Sequence, residues 1–438
     1  MKKKVAVVTV AQAEEAARLA DLPLEATVAL AEVAGAIKDG LLAFASATGL
    51  VVMFQMMQAE LTAKIGPKHA RMPAAERVGN WHGTTQGPVV LGGRTVTTDR
   101  PRGRTTDGAE IELDTWKVFS SEDLLRQLVV ERMLAGVATR RHADVAEPVG
   151  DGVQSRSKSM SKSAVSRRFV AATKTAMAEL LARSLADLDI AALMIDGLDV
   201  AGQCVVVALV ITTDGTKIPV GLWLGDTENK TVVTALLGDL VARGLDDTSG
   251  VLCVIDGAKA LAAGIRKVFG EHAVVQRCTI HKRRNVTGHL PKELAGTIDR
   301  RLAMIFARPD ATKGLTAART LAKELEADHP DAAASLREGL DDMFTVRRLG
   351  IGGTLAKTLT NTNCIESMIS IARRTTGRVT KWKDGSMKKR WIAAGMLEAE
   401  RSFRRVRGYK DMSKLVAALR SEVTSRTVTP TEYDQAAA

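Results

Sequence analysis

Three acidic residues occupy positions that a metal-dependent enzyme acting on phosphodiesters would need. Asp196 and Asp256 each follow a strongly apolar run, and Glu366 lies in a segment rich in Arg and Lys. Two Mg²⁺ ions that act on a phosphodiester need hard oxygen ligands on rigid elements, which three carboxylates supply. Without metal, three such charges would repel one another, and at least one would tend to take up a proton. Since the chain has 50 Asp and Glu residues, position must separate this trio from chance.

The segments around the first two acidic residues predict a mixed α/β domain. Short apolar runs bounded by polar residues are candidate strands, although periodicity alone does not separate a buried strand from a buried helix segment. The turn at Asp214-Gly215, between two such runs, is a strong hairpin signal. The predicted order is strands at 190–195, 204–211 and 218–224, helix 231–243, strand 251–255, helix 258–268 and strand 273–276.

This order resembles a ribonuclease H-like layout, in which three antiparallel strands are followed by alternating helix and strand. The first and fourth strands are neighbours in that layout, so we expect Asp196 and Asp256 to lie side by side. Taken alone, each Asp-Gly pair is more simply a strand-ending turn. Glu366 lies on a predicted helix with apolar residues at helical spacing, and taken alone it is an ordinary exposed carboxylate. Only the combination favours a site.

Several segments, in their order and spacing, resemble the Mutator-type bacterial insertion-sequence transposases, which belong to the acidic-triad (DDE) recombinases. The resemblance runs from about Met56 to Tyr409. Its motifs are IDG around Asp196, WLGDTEN at Trp223–Asn229 followed by LVARGLDD, VIDGAKAL around Asp256, QRCTIHKRRN at Gln276–Asn285, and TNCIESMIS followed by ARRTTGR. No single motif is decisive, because Asp-Gly is common.

The resemblance implies that Asp196, Asp256 and Glu366 form the catalytic, metal-binding triad. It implies two Mg²⁺ ions per site, with Mn²⁺ as a substitute. The chain departs from the family pattern at Leu198–Val200, which lacks the basic residue often found just after the first Asp. This departure leaves open which residues grip DNA there, and Asp199 remains a rival carboxylate.

The resemblance also implies DNA contacts on the helix that carries Glu366. Arg373 lies seven positions further on, facing the same side of the helix, and Arg374 follows it. Between the second Asp and the Glu, the family has a mostly helical insertion. Residues 291–358 have the Ala, Leu, Glu and Arg composition of such an insertion.

Cys278 and His281 have the spacing of zinc ligands. A structural zinc site needs four ligands, and no second pair follows, since His289 and the other cysteines stand singly (Cys204, Cys253 and Cys364). The spacing therefore disfavours zinc. The resemblance implies that the pair places DNA or packs the insertion onto the core. The adjoining basic run is a candidate phosphate contact or a solvated helix start, and it comprises Lys282, Arg283 and Arg284.

The charge of the chain favours a polyanionic partner. Its 62 Lys and Arg against 50 Asp and Glu give a net charge of +12 and a pI near 9.6. Between Arg373 and Lys410, 13 basic residues accompany three acidic ones, which favours a surface that faces DNA over a solvated helix. Aromatic residues make up 3% of the chain, too few for an extended base-stacking platform. Duplex DNA is the expected ligand.

Residues 120–187 carry a stretched helix-turn-helix pattern. The segment predicts a capped helix from Ser120 to Gly136, a short helix over 139–145, a loop over 150–161, and a longer basic helix from near Ser163. The last helix would enter a major groove and carries Arg167 and Arg168. Three-helix patterns are also common in purely structural roles. The resemblance favours recognition of terminal inverted repeats.

Nearer the start, residues 94–107 are interpreted as an exposed basic arm or a disordered loop, and the basic residues include Arg102 and Arg104. Residues 41–59 carry no charge, but their Ser, Thr, Gly and Gln favour a buried or dimerising helix over a membrane span. Four unpatterned cysteines suit a reducing cytoplasm. Residues from Ser425 onward are expected to be disordered.

The predicted fold class is α/β, with a ribonuclease H-like catalytic core interrupted by a helical insertion and preceded by a mostly helical N-terminal DNA-binding region. The expected divisions are 1–119 (helical and basic-arm region), 120–187 (helix-turn-helix-like domain), 188–290 (first part of the core), 291–358 (insertion), 359–410 (Glu-bearing and basic helices) and 411–438 (tail). These divisions set the two Asp residues and the Glu on separate parts of one core.

The resemblance implies a transposase that binds terminal inverted repeats, cleaves DNA and joins the freed 3′ ends to target DNA. Holding two ends implies at least a homodimer, in the bacterial cytoplasm with the nucleoid. Two alternatives stay open: a nuclease of the same fold that does not join ends, and a catalytically idle domesticated transposase that acts as a DNA-binding protein. The presence of all three carboxylates argues against the idle protein.

Overall fold

The computed structural model describes residues 40–427, apart from 70–72, 74–77, 92, 122, 147–148, 159–160, 226 and 228. The chain divides into two compact units, Met1–Ala172 and Thr173–Ala438. The first part of the predicted N-terminal region and residues 428–438 of the predicted tail lie outside the described residues.

The first unit holds a small sheet beside a long helix. Helix α1 (Leu41–Ile65) precedes a hairpin of β1 (Gly79–Leu91) and β2 (Arg94–Thr105), and β3 (Ser157–Lys158) pairs with β2. The prediction of a basic arm was wrong, because the segment forms a strand in which buried residues alternate with more exposed ones and Val96 lies in the core. The expected mostly helical N-terminal region therefore includes a three-stranded sheet.

Helix α1 is apolar along most of its length. The stretch Leu42–Ile65 is long and apolar enough to cross a membrane, a test that core helices of soluble proteins also pass. One face packs on the hairpin, with Met57 and Leu61 fully buried, while Val52 and Met56 on another face stay about half exposed.

Among the described residues of the first unit, four further helices begin: α2 (Asp114–Phe119), α3 (Asp123–Leu134), α4 (Asp151–Ser155) and α5 (Lys162–Ala182). A helix is present where one was predicted from Ser120 to Gly136, and this helix, α3, begins at Asp123. The predicted helix over 139–145 was wrong, since those residues form turns. The predicted loop at 150–161 contains α4 and β3.

A five-stranded sheet forms the centre of the second unit. Its strands are β4 (Ile190–Val200), β5 (Gln203–Thr212), β6 (Lys217–Gly225), β7 (Leu252–Ile255) and β8 (Val274–Arg277). The order is β6-β5-β4-β7-β8, with β4, β5 and β6 antiparallel in sequence, β7 parallel to β4, and β8 parallel to β7. This confirms the predicted hairpin and the predicted adjacency of the first and fourth strands.

The described helices that begin in the second unit are numbered in chain order. They are α6 (Lys230–Ala242), α7 (Lys259–Phe269), α8 (Thr279–Gly288), α9 (Lys292–Ala307), α10 (Ala311–Glu326), α11 (Pro330–Arg337), α12 (Thr345–Arg348), α13 (Gly353–Leu359), α14 (Asn363–Thr376), α15 (Gly385–Ser402) and α16 (Met412–Thr427). Short 3₁₀ turns lie at Gly270–His272, Asp341–Met343 and Tyr409–Asp411.

The sheet has a hydrophobic cluster on each face. Helices α6 and α7 cover one face, where Leu193 and Ile195 of β4 are buried. Helices α14, α15 and α16 cover the other face, where Met194 of β4 and Val254 of β7 are buried. This division into two faces follows from the two-residue period of a strand and decides which side chains of β4 and β7 meet α14.

Helices α9 to α11 enclose a separate apolar cluster with the 3₁₀ turn at Asp341–Met343 and one side of α8. They occupy much of the segment predicted as a helical insertion. At the other end of the chain, the predicted tail differs from expectation, because Leu415, Leu419 and Val423 of α16 are buried against the sheet. Apolar residues at helical spacing explain why residues 412–427 are ordered as a helix.

Candidate active site

Asp196 and Asp256 lie level with each other on neighbouring strands. Strands β4 and β7 are parallel with Met194 opposite Val254, an offset of 60 positions (254 − 194 = 60). The two aspartates have the same offset (256 − 196 = 60), and Asp256 directly follows β7. Neighbouring strands lie about 4.8 Å apart, so the matched offset places the two residues close together along the sheet. Asp196 lies inside β4, opposite Val207, and not in the strand-ending turn that Asp-Gly alone suggested.

Both aspartates have the strand parity of the face that α14 covers. Met194 and Leu198 are buried in the cluster on that face, and Asp196 lies between them in the same alternation. Val254 belongs to the same cluster, and Asp256 follows it by two residues. The pleat therefore directs the two carboxylates to the same side of the sheet.

Asp199, the rival carboxylate, has the opposite parity. It pairs across the sheet with Cys204, which packs on the cluster of the other face. Its Oδ1 accepts a 3.4 Å hydrogen bond from the N–H of Gly202 in the turn between β4 and β5. Asp199 is exposed and helps to close a hairpin.

Short backbone hydrogen bonds orient the two aspartates. The N–H of Gly197 donates to Oδ1 of Asp196 at 2.8 Å, and the N–H of Ala258 donates to Oδ1 of Asp256 at 2.8 Å. Gly257 has φ +116°, which favours glycine because other side chains are strained there. The Asp-Gly sequence after β7 thus fixes the carboxylate through the turn itself.

Glu366 lies in the first turn of α14 and is half-buried. Its neighbours Ile365, Met368 and Ile369 anchor the helix in the apolar cluster against the sheet. The hydroxyl of Thr362 donates a hydrogen bond to Oε1 of Glu366, and Nδ1 of His281 lies 3.8 Å from the same oxygen. Thr362 could not be predicted from the sequence, because its hydrogen bond to Glu366 forms only in the fold.

Cys278 and His281 begin helix α8 beside Glu366. The N–H of Cys278 donates to the carbonyl of Ile255 at 2.7 Å, which ties this helix start to the end of β7. The hydrogen bond with Cys278, and then the charges of Cys278, Glu366 and Asp256, outweigh desolvation and raise the pKa of His281 to about 9. Burial opposes ionisation of Cys278, but hydrogen bonds with His281 and Thr362 lower the pKa of its thiol.

The candidate metal ligands form two adjoining groups. In the described part of the chain, the potential metal ligands whose donor atoms all lie within 4.8 Å of one another are Cys278, His281 and Glu366. Asp196 and Asp256 form the other group, on the strands. Asp256 links the two, since its charge contributes to the raised pKa of His281.

A buried ion network ties the strands to the helical segment. Arg277, at the end of β8 and 4% exposed, donates to the carbonyl of Gly257 at 2.9 Å and to Oε2 of Glu338 at 2.8 Å. Burial alone would raise the pKa of Glu338, but Arg277 and Lys282 outweigh it and lower the pKa to about 2. Arg277 and Glu338 were not predicted from the sequence, because no local pattern distinguishes them from charged residues on the surface.

The basic run after His281 is divided by the fold. Nζ of Lys282 is buried and donates to the carbonyls of Ser335 and Glu338 at 2.7 Å, which corrects its interpretation as a phosphate contact. Cys278 is fully buried and is likewise not a surface contact. Arg283 pairs with Asp299 at 2.9 Å, whereas Arg284 is exposed.

The remaining predicted DNA contacts lie on several elements. Arg373 and Arg374, in the last turn of α14, are both exposed. In the first unit, Arg102 forms a two-bond pair with Glu110 (3.2 and 2.9 Å), while Arg104 is exposed. On helix α5, Arg167 is exposed and Arg168 is half-buried.

Comparison with known proteins shows which family the chain belongs to. The profile of the family described as Transposase, Mutator family, matches residues 24–405. The chain is 31% identical over 206 residues to the transposase for insertion sequence element IS6120 of Mycolicibacterium smegmatis, a match that covers 46% of this chain and 62% of that protein, less than two thirds of its length. It is 27% identical over 281 residues to the transposase for IS256 in transposon Tn4001 of Staphylococcus aureus, covering 62% and 69%. It is 26% identical over 262 residues to the transposase for IS905 of Lactococcus lactis, covering 58% and 63%. The chain belongs to the Mutator family of transposases.

Proposed function

We propose that this chain is the DNA transposase of an insertion sequence, which binds terminal inverted repeats, cleaves DNA at their ends and transfers the strand to target DNA. The observation that carries the proposal is the matched offset and parity of Asp196 and Asp256 on the face that holds Glu366. Relatives named as transposases for insertion sequence elements support the same activity.

The catalytic core is of the ribonuclease H-like class in this proposal. Support comes from the strand order β6-β5-β4-β7-β8, with a three-stranded meander followed by two parallel strands. Residues 291–358 are the insertion between Asp256 and Glu366, and their helices α9 to α11 enclose an apolar cluster of their own. DNA recognition is proposed for residues 120–187 through α3 and α5, although residues 139–145 form turns in place of the predicted middle helix of the helix-turn-helix pattern, and the core is proposed at 188–290 and 359–410.

Asp196, Asp256 and Glu366 are the residues that would hold divalent metal. The donor set fits hard cations such as Mg²⁺ or Mn²⁺, because all three side chains are half-buried carboxylates on rigid elements. Two bound ions would activate the attacking oxygen and stabilise charge on the leaving oxygen of the phosphodiester. The backbone hydrogen bonds to Asp196 and Asp256 keep the donors in place before metal and DNA arrive.

Duplex DNA is the partner in this proposal, and the chain's net charge of +12 supports it. Arg373 and Arg374 extend from the helix of Glu366 and would contact the phosphates near the cleaved bond. In the first unit, Arg104 and Arg167 are the exposed candidates for contacts with the terminal repeats. Synapsis of two ends requires a homodimer or larger assembly, acting in the cytoplasm.

The decisive experiment uses a labelled duplex that carries the inverted repeats flanking the gene, with Mg²⁺, with Mn²⁺ and with chelator. Nicking at the 3′ end and joining to target DNA should require metal and should be lost in Asp256→Asn and Glu366→Gln. The matched control is Asp199→Asn, which removes a carboxylate of β4 from the opposite face and should leave both steps intact.

Three outcomes would contradict the proposal in different ways. Cleavage without joining under every condition would indicate a nuclease of the same fold. Specific binding without cleavage in either metal would indicate an idle DNA-binding protein. Cleavage that survives Asp256→Asn would mean that the catalytic carboxylates are misassigned.

A further inference from the structure

Cys278, His281 and Glu366 form a compact group of unlike metal ligands. A thiol, an imidazole and a carboxylate each offer one donor atom, and these atoms all lie within 4.8 Å of one another. The first two residues begin α8 and the third lies in the first turn of α14, so two segments distant in sequence meet here. The spacing of Cys278 and His281 alone supplied only two ligands, and the fold supplies the third.

The two helix starts are held together before any ligand binds. The backbone N–H and the hydroxyl of Thr279 both donate to the carbonyl of Thr360, at 2.9 and 3.0 Å. The N–H of Glu366 donates to the carbonyl of Thr362 at 3.0 Å, and the hydroxyl of Thr362 contacts His281 Nδ1 at 3.4 Å. These bonds restrain both backbones, and the hydroxyl of Thr362 holds the imidazole of His281 and the carboxylate of Glu366 close together.

The donor atoms are close enough to one another to approach tetrahedral spacing when an ion binds. Ligand atoms around tetrahedral zinc are separated by about 3.3–3.6 Å, given typical Zn–S, Zn–N and Zn–O lengths. His281 Nδ1 and Glu366 Oε1 are already 3.8 Å apart. Cys278 is fully buried, whereas the side chains of His281 and Glu366 are 28% and 37% exposed. An ion can therefore enter from the exposed side and keep water as a fourth ligand.

The donor set distinguishes between classes of cation. Thiolate and imidazole favour zinc and similar thiophilic ions, while Mg²⁺ takes oxygen ligands and keeps several waters. The strand pair of Asp196 and Asp256 offers oxygen alone. Glu366 belongs to both sets, so a zinc-class ion held by Cys278 and His281 competes for the carboxylate that the strand pair needs.

We propose that Cys278, His281 and Glu366 form a binding site for a zinc-class divalent cation, and that its occupation inhibits DNA cleavage by withdrawing Glu366. The inhibitory part rests on the proposed function, whereas binding does not. The full chain thus has two metal sites of different chemistry that share one carboxylate.

Binding is tested with Co²⁺, whose absorption reports thiolate coordination, added to the purified full chain without DNA. We expect a sulfur-to-cobalt charge-transfer band and tetrahedral d–d bands that persist in excess Mg²⁺ and disappear when Zn²⁺ is added. Cys278→Ser should abolish the charge-transfer band. Cys204→Ser, which removes a thiol from the opposite face of the sheet, should retain it. A wild-type chain without the band, or a band that survives Cys278→Ser, overturns the site.

A second variant guards against loss of fold in Cys278→Ser. His281→Asn keeps the buried thiol but should weaken Co²⁺ binding by more than about 100-fold, because changes outside the ligand sphere already cost about 10–100-fold. Unchanged circular dichroism in that variant ties the loss to the ligand. Affinity within threefold of wild type would overturn the assignment.

Inhibition is then measured separately, as cleavage of the labelled duplex in Mg²⁺ with increasing Zn²⁺. Activity should fall over the same Zn²⁺ range that displaces Co²⁺, and chelation of Zn²⁺ should restore it. Undiminished cleavage at saturating Zn²⁺ overturns the inhibitory role. Failure of the proposed function has a different signature, since the wild-type chain would then bind Co²⁺ but show no cleavage in Mg²⁺ alone.

Discussion

Two groups of side chains meet near the end of β7, and they are built differently. Asp196 lies inside β4 and Asp256 directly follows the neighbouring β7, so the pairing register of the two strands sets their level. Cys278, His281 and Glu366 come from two helix starts, and the last two residues are 85 positions apart in sequence (366 − 281 = 85). We call the first the strand pair and the second the helix-start group.

The difference concerns how many contacts hold each group. A strand position is fixed by the whole ladder of β4, β5 and β7, so one altered side chain leaves it in place. The helix-start group depends on single hydrogen bonds through Thr360 and Thr362. The strand pair should therefore respond to substitutions only through chemistry, whereas the helix-start group should respond through both chemistry and position.

The largest effect expected concerns the strand pair. Asp196→Asn should lower DNA cleavage by about 1,000-fold or more, since a catalytic metal contributes several kcal/mol of transition-state stabilisation. Asp199→Asn, three residues away on the same strand, should stay within about threefold of wild type because its carboxylate serves the hairpin turn. Steady-state cleavage rates with both proteins at matched circular dichroism provide the measurement. Equal losses would remove the distinction that strand parity makes.

The next effect concerns the link between the strands and the helical segment. Arg277→Met should destabilise the second unit by about 3 kcal/mol. Removing one partner from a buried ion network leaves the other charged and polar groups without a partner. Cleavage should also fall, since the carbonyl of Gly257 next to Asp256 loses its donor. Arg266→Met, which breaks a 3.0 Å pair with Asp342 on a 58% exposed side chain, should cost less than about 1 kcal/mol.

Urea unfolding followed by circular dichroism compares these two variants. A shift in the Arg277→Met midpoint no larger than in Arg266→Met would mean that the network adds nothing beyond a surface pair. The strand pair would then be held in place by the sheet alone, without a contribution from the helical segment.

Much of the strand pair could be predicted from the sequence. Apolar runs, the Asp214-Gly215 turn and the alternation of helix and strand gave the order of elements, and the expected neighbouring strands are confirmed. The level of Asp196 with Asp256 follows from that order. The position of Asp196 inside β4 did not, because Gly197 suggested a turn, while pairing with β5 extends the strand past it.

The helix-start group could be predicted only in part. Cys278 and His281 were candidates by spacing, but Thr362 and the approach of Glu366 depend on how α8 and α14 pack, and no local pattern reports such packing. Lys282 shows the same difficulty, since charge alone suggested a phosphate contact and the fold buries it against Glu338. In the first unit, the Arg residues of β2 concealed a strand pattern.

A smaller effect tests the helix-start group directly. Thr362→Val removes the hydroxyl that contacts both Glu366 and His281, and should lower cleavage by about 10–100-fold, as loss of a partner behind a metal ligand does. Thr360→Val removes a hydroxyl bonded at 2.8 Å to Ala356 of its own helix and keeps the carbonyl that Thr279 needs. It should change stability slightly and leave the Mg²⁺ dependence of cleavage unchanged.

Cleavage measured at increasing Mg²⁺ concentration distinguishes a poorly positioned Glu366 from a general loss of stability in these variants. Thr362→Val should need more Mg²⁺ for half-maximal activity, because a less restrained Glu366 binds metal more weakly. A fall in rate with an unchanged Mg²⁺ midpoint in Thr362→Val would place the effect in stability, and the helix-start group would then be as robust as the strand pair.

The smallest effect concerns the far end of the helix that carries Glu366. Arg373→Ala should weaken binding to any duplex by a few fold and lower the slope of log affinity against log salt by about 0.9, the value for one phosphate contact. Arg283→Ala should leave the slope unchanged, because Asp299 neutralises that guanidinium within the protein. Fluorescence anisotropy at several salt concentrations measures both. An equal loss of slope in the two variants would mean that internal pairing does not separate DNA-facing cations from structural ones, and the surface of α14 would have to be assigned by another criterion.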